Sequence, residues 1–268
     1  MKPQLHTYDI AKGVFAFSSL RKGGASKGTF CAFNINEYCG DSLEHVTRNK
    51  QLLADILGIP PQNILVPHQV HGTKVAYVDQ EMLNQPAEKR QEYLNDVDAM
   101  ITQERGLCIG VSTADCIPIL LYDAQQQAIA AVHAGWRGTV ARIVEKTIHT
   151  MVQTFGTQPQ HLYAAIGPGI SLEVFEVGNE VYEAFQQAAF DMSAIACQKT
   201  KWHIDLPRCN QLQLIEKGVP PQHIIMSHIC TYQQSEDYFS ARKLGIHSGR
   251  IYSGIMLQSR SFLSNPPF

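Results

Sequence analysis

The stretch from 107 to 134, LCIGVSTADCIPILLYDAQQQAIAAVHA, constrains this chain more than any other. It holds three short runs of apolar and β-branched residues separated by polar hinges. Each run is too short for an ordinary helix, so all three read as buried strands. Directly after them, GTVARIVEKTIHTMVQTFG (138–156) places Val140, Ile143, Val144, Ile148, Met151, Val152 and Phe155 at helical spacing. The polar residues at the breaks are unusual in kind. Cys116 opens the second run, and His133 closes the third just before Gly135, Trp136, Arg137 and Gly138.

The remaining elements are mixed. DSLEHVTRNKQLLADILG (41–58) reads as a helix, with Asp41 or Ser42 as its cap, Gly58 as its stop, and Leu43, Val46, Leu53, Ile56 and Leu57 on its apolar face. The segments 179–190 and 209–218 also read as helices. Residues 63–79 read as strand, break, strand, and 162–170 as a strand followed by a turn. Residues 223–230 read as a strand, 18–28 as a glycine-rich loop, and 80–96 as an exposed polar loop. Strict alternation of strand and helix is absent. The expectation is an α+β fold, a layered sandwich of mixed sheets flanked by helices, in a single domain over residues 1–268.

Composition excludes several classes. At 268 residues, 44% hydrophobic and 17% charged, the chain builds a substantial core. A net charge of −2 without a Lys/Arg run argues against nucleic acid or an anionic membrane as partner. No apolar run approaches the length of a membrane span, and the first residues lack the pattern of a signal peptide. A cytoplasmic location is expected. Seven irregularly spaced cysteines without a Cys-x-x-Cys pair do not form a disulfide framework or a zinc ribbon.

Three motifs carry chemistry: HQVHG (68–72), TADC (113–116) and AVHAGWRG (131–138). Each sets a histidine or cysteine beside an expected strand. A lone cysteine in an apolar segment is ordinarily a small hydrophobe, and a histidine at a strand end is ordinarily a corner residue. Three together, two of them flanked by glycine, read as one site. His71, Cys116 and His133 would supply three protein ligands and leave a fourth position open, as in catalytic zinc sites. His68 competes with His71. Pro67 and Gly72 favour an extended turn in which only one of the two serves. The same residues admit a second reading, with Cys116 as thiolate nucleophile, His133 as its base, and Asp115 or His71 orienting the imidazole. Both readings stand at this point.

These motifs, with SLRKGGASKGTFCAFNINEYCGD, DAMIT, IGPGISLEVFEVG, DLPRCNQLQLIEKGV and SEDYFSARKLGIHSGR, resemble the YfiH-like family over nearly the whole chain. That family is also called DUF152 or the polyphenol oxidase/laccase domain. The resemblance implies an α+β sandwich with a central pocket and zinc held by His71, Cys116 and His133. It also implies phosphorolysis of adenosine, inosine and methylthioadenosine, and hydrolytic deamination of adenosine. Purine nucleosides and phosphate are the implied partners. Arg21, Asn34, Arg137 and Arg242 fall on the family pattern as candidate substrate-binding residues. Arg137 suits an anion, or else packs on Trp136. The turn GPGI (167–170) lacks the lysine of a phosphate-binding loop and is expected to line the pocket. The family's later cysteine and tyrosine are replaced here by Gln233 and Ala241.

Three alternatives to the purine nucleoside enzyme remain. A copper polyphenol oxidase is suggested by the family's older name, although the chain has no His-x-His pair of the kind that builds multicopper clusters. A cysteine hydrolase using Cys116 and His133, acting on amide bonds such as those of peptidoglycan precursors, is the second. A partner-binding protein with a vestigial site is the third.

Overall fold

The computed structural model describes residues 2–258. Its strands, in chain order, are β1 (Leu5–Tyr8), β2 (Val14–Ser19), β3 (Ile64–Leu65), β4 (Val75–Tyr77), β5 (Ala99–Thr102), β6 (Cys108–Thr113) and β7 (Ile117–Asp123). They continue with β8 (Ala128–Ala134), β9 (Leu162–Ile166), β10 (Glu176–Val177), β11 (Ala196–Gln198), β12 (Trp202–Ile204), β13 (Ile224–Met226) and β14 (Ile251–Leu257). Four helices matter most: α1 (Leu43–Leu57), α2 (Trp136–Val140), α3 (Ile143–Phe155) and α4 (Leu206–Glu216).

The three central runs of the sequence form β6, β7 and β8, and they do not share one sheet. β7 and β8 pair antiparallel within a six-stranded sheet of order β13-β9-β7-β8-β5-β4. β6 lies in a five-stranded sheet of order β1-β2-β14-β6-β3. Both sheets are mixed. β13 runs parallel to β9, β4 to β5, and β3 to β6, while the other pairs are antiparallel. A small sheet of β10, β12 and β11 completes the set.

Side-chain alternation stacks the layers. Ile119 and Leu121 of β7 and Ala130 and Val132 of β8 share a core with Ile143, Val144, Ile148 and Met151 of α3. Leu120, Tyr122, Ile129 and Ala131 point the other way and pack with Ile109, Val111 and Ile255 of the five-stranded sheet. The outer face of that sheet, with Phe17 and Tyr252, is covered by Leu53, Ala54 and Leu57 of α1. The order is helix, sheet, sheet, helix, the expected α+β sandwich. Because side chains alternate every second residue, Cys116 and His133 follow the inter-sheet parity of Pro118, Leu120, Ile129 and Ala131 at one rim of the six-stranded sheet.

Some elements differ from the sequence reading. The expected helix 138–156 is two helices, because Arg142 takes a left-handed conformation (φ 63°) between α2 and α3. Its guanidinium bonds Glu145 and the Ala188 carbonyl and lies 4.0 Å from the Phe190 ring centroid. The Thr139 carbonyl, at the end of α2, accepts from Gln213 of α4. The loop 80–96 contains helical turns at Gln80–Leu83 and Ala87–Tyr93, the first capped by Asp79, which accepts from the Met82 amide. Leu43 is exposed. The buried face of α1 includes Asn49 instead.

Candidate metal centre

Cys116 immediately precedes β7 and His133 is the penultimate residue of β8. Pairing of Ile117 with Ala134 and Pro118 with His133 brings them to one rim. His71 arrives on the loop between β3 and β4. One donor atom from each of the three lies within 4.8 Å of the others, and among the described residues this is the single such group of three. The rings of His71 and His133 meet edge to face, 4.8 Å between centroids. His133 is buried, Cys116 is half-buried and His71 is exposed, so the cluster is anchored on the protein side and open on the other.

Asp98, just ahead of β5 and fully buried, organises the centre. Its Oδ1 lies 2.7 Å from His133 Nδ1 and accepts the His71 amide at 3.0 Å. Its Oδ2 accepts the amides of Gly72 at 2.7 Å and Val70 at 3.3 Å. One carboxylate therefore fixes the orientation of one imidazole and the backbone that carries the other. With Nδ1–H directed at Asp98, His133 is left with Nε2 for a ligand. Gln69 adds a second clamp. Its side-chain amide donates to the Ser112 carbonyl and its carbonyl accepts the Ser112 amide, which ties the loop to β6. His71 itself adopts a left-handed backbone (φ 62°), a conformation that needs such bracing.

Gly135 makes room. A Cβ there would sit 3.0 Å from both Cys116 Sγ and His71 Cδ2, inside the contact distance of the cluster. Gly138 similarly lets α2 approach the loop, since its Cβ would come within 3.3 Å of the Gly72 carbonyl.

The electrostatics are those of a coupled pair. Burial pushes the Cys116 thiol up, but His133 and then His71 pull it down further, to about 6. Burial lowers His133, while the Cys116 thiolate and Asp98 raise it to about 9. Burial raises Asp98, and His133 with the Gly72 and Val70 amides holds it below the ordinary carboxylate value. Together these shifts favour a thiolate beside an imidazolium, backed by a carboxylate.

The other candidates do different things. Arg21 bonds the carbonyls of Cys31 and Ser235 and lies 5.0 Å from the Phe239 ring centroid. Asn34 is buried. It donates to the Asn36 carbonyl, Cys39 and Asp41, and accepts the amides of Asn36 and Arg250. The Arg242 guanidinium faces the carbonyls of Val174 and Glu176. Arg137 is exposed and stacks on Trp136 at 4.3 Å. His68 bonds Asn95 rather than joining the cluster. Asp115 does not orient His133. Its carboxylate takes the Thr231 hydroxyl and the Arg242 amide. Asp98 fills that place. Its sequence signal was a lone acid opening an apolar strand, VDAMIT, which also reads as an ordinary polar strand end.

Residues 15–258 match the family described as "Multi-copper polyphenol oxidoreductase laccase". The chain belongs to this family. It is 48% identical over 244 residues to a purine nucleoside phosphorylase of Bacteroides thetaiotaomicron, covering 90% of each chain. It is 38% identical over 258 residues to adenosine deaminase RL5 from an unknown prokaryotic organism, covering 94% of this chain and 98% of that one. The solved structure of YlmD from Geobacillus stearothermophilus has the same fold, with a TM-score of 0.86 at 28% identity over 94% of each chain.

Proposed function

We propose that this laccase-domain chain is a purine nucleoside enzyme. It carries out phosphorolysis of adenosine, inosine and methylthioadenosine, and hydrolytic deamination of adenosine, at a zinc centre held by His71, Cys116 and His133. The convergence of these three donors within 4.8 Å, with Asp98 behind His133, carries the reading. The names of the phosphorylase and deaminase relatives supply the substrate class, purine nucleosides with phosphate or water as second reactant.

The donor set fits the metal. Two imidazoles and a thiolate are borderline-soft ligands, and three protein ligands leave a position for substrate or water. A zinc ion held by these residues would supply Lewis-acid chemistry. The chain's own residues do the remaining work. Asp98 holds His133 Nδ1–H so that Nε2 faces the cluster. The two histidines hold the Cys116 thiol below its ordinary value, which favours the thiolate form that a metal takes. Copper accepts the same donors, but a multicopper oxidase needs further histidine clusters, and among the described residues only this group converges.

Seven free cysteines suit a reducing, cytoplasmic compartment. Among the described residues no helix is long and apolar enough to cross a membrane.

The test is conversion of inosine and adenosine with and without phosphate, before and after chelation. Phosphate-dependent release of the free base, lost on chelation and restored by zinc, supports the phosphorylase reading. Ammonia release from adenosine without phosphate marks deamination. Zinc-loaded protein that converts neither nucleoside sinks the proposal.

One observation favours a second reading. Cys116, His133 and Asp98 also have the order of a thiol nucleophile, its base and an orienting carboxylate. In that arrangement His71 is only a further neighbour that lowers the Cys116 thiol. Metal content and activity of a His71→Ala variant, measured together, separate the two: a metal centre loses a ligand and its activity with it, whereas a cysteine hydrolase keeps activity that no longer tracks bound metal.

A further inference from the structure

The rim that carries the metal-ligating cluster also carries a polar cavity of about 460 Å³. It lies at the carboxyl ends of the parallel pair β9 and β13, the position where sheets with parallel strands commonly receive ligands. Gly167 and Gly169 form one wall, and Ser227 and His228 another. Asp205, Arg208 and Gln211, at the start of α4, form a third, with Glu173 nearby.

These walls are fixed. The Ser227 amide donates to the Ile166 carbonyl, the Gly169 amide to that of Ile229, and the Thr231 amide to that of Gly169. Arg208 is steadied by Gln211 Oε1 at 2.7 Å. Asp205 Oδ1 caps the helix through the Arg208 amide, and its other oxygen accepts no hydrogen bond from the described residues. His228 is held in a left-handed conformation (φ 53°).

Charge decides what such a cavity takes. A phosphate dianion would meet two carboxylates, Asp205 and Glu173, in the same small volume. A divalent cation would meet Arg208, and these acids do not converge with His228 as a ligand cluster. The mixed set of carboxylates, guanidinium, amide and hydroxyl suits an uncharged ligand rich in hydroxyls. A carboxylate accepting from a ribose diol is a recurrent device for nucleosides. Met226, Ile229 and Pro207 supply apolar surface for a ring.

We propose that this cavity is a second nucleoside site, separate from the metal-ligating cluster, with the ribosyl diol held by Asp205 and Glu173. It rests on the purine nucleoside reading above. None of His71, Cys116 and His133 lines it. The two sites meet at the turn 167–170. The Ile170 amide donates to the Asp115 carbonyl, and a Cβ on Gly169 would lie 3.1 Å from that oxygen and 3.4 Å from the Cys116 carbonyl. Occupancy of the cavity therefore bears on the backbone that presents Cys116.

Titration calorimetry with inosine, ribose and hypoxanthine on the Cys116→Ala protein tests this. Asp205→Asn, Arg208→Leu and Gln211→Leu are each added to that background. Asp205→Asn keeps an oxygen for the helix cap, so it perturbs the ligand more than the fold. We expect Cys116→Ala to bind one inosine per chain, with ribose and hypoxanthine each competing more weakly than inosine itself. Each cavity substitution then weakens binding by tenfold or more. Absence of inosine binding to Cys116→Ala, or binding that the cavity substitutions leave unchanged, overturns the proposal. Inosine turnover by wild type, measured in parallel, separates the two readings. Turnover without cavity binding removes only the second site, and cavity binding without turnover removes only the catalytic reading.

Discussion

Two polar regions of this protein look alike in sequence and differ in what their atoms are left to do. Around the glycine-rich N-terminal loop, Asn34 and, on α1, Asn49 are buried and spend their amides on the chain itself. Asn49 takes the Ala25 amide and donates to Ser26 and to the carbonyls of Ala32 and Asn34. Arg21 spends its guanidinium on two carbonyls. At the rim of the six-stranded sheet, Asp98 and Gln69 absorb the backbone amides and one imidazole nitrogen. The facing donors of His71, Cys116 and His133 are left clustered. The lesson is that a polar residue in a motif is a candidate for chemistry when other groups have satisfied its surroundings and its own reactive atom is unspent. Where the side chain is consumed by the fold, its hydrogen bonds hold shape.

The strongest way to break this contrast is Cys116→Ala. Loss of a ligand should remove bound metal and take activity down by more than the roughly 10–100-fold that loss of an outer partner costs. Metal content and turnover, measured on the same sample, report it. A variant that keeps its metal would move Cys116 out of the ligand set. Next is Asp98→Asn, which keeps shape but gives up the anionic acceptor for His133 Nδ1. Metal affinity, read by competition with a chromophoric chelator, should weaken roughly 10–100-fold. An unchanged affinity with a lowered melting point would reduce Asp98 to a structural residue.

Asn34→Ala sharpens the other side. Removal of a buried hub that satisfies several polar groups should cost about 1–3 kcal/mol in denaturant unfolding, with metal stoichiometry unchanged. Metal loss without destabilisation would contradict the division drawn here. The smallest effect is expected from Arg137→Ala. Its guanidinium is exposed and stacked on Trp136 rather than bound to carbonyls, which leaves it free to meet an anion. Stability should change by no more than about 0.5 kcal/mol. The KM for phosphate should rise roughly fivefold, the weight of one exposed charge contact.

Legibility in the sequence followed the same division. The central strands and α1 were readable because burial writes a period into their residues. The grouping of His71, Cys116 and His133 was readable because histidine and cysteine are unusual at strand ends flanked by glycine. Asp98 was not, since a single acid before AMIT carries no mark of the four hydrogen bonds it accepts through tertiary contacts. The break at Arg142 was invisible for a related reason. Local periodicity runs straight through it, and what bends the chain is Glu145, the Ala188 carbonyl and Phe190. Two-residue strands such as β3 and β10 exist only by virtue of their partners. The arginines were readable as residues but not as roles, because whether a guanidinium is spent depends on carbonyls remote in sequence.

Metal analysis of protein purified without added metal, paired with phosphate-dependent conversion of inosine by the same preparation, tests the central claim most directly. The account predicts about one zinc per chain, with activity that falls as zinc is withdrawn and returns as it is restored. Full activity in protein that carries no metal would contradict it and give Cys116 the role of nucleophile.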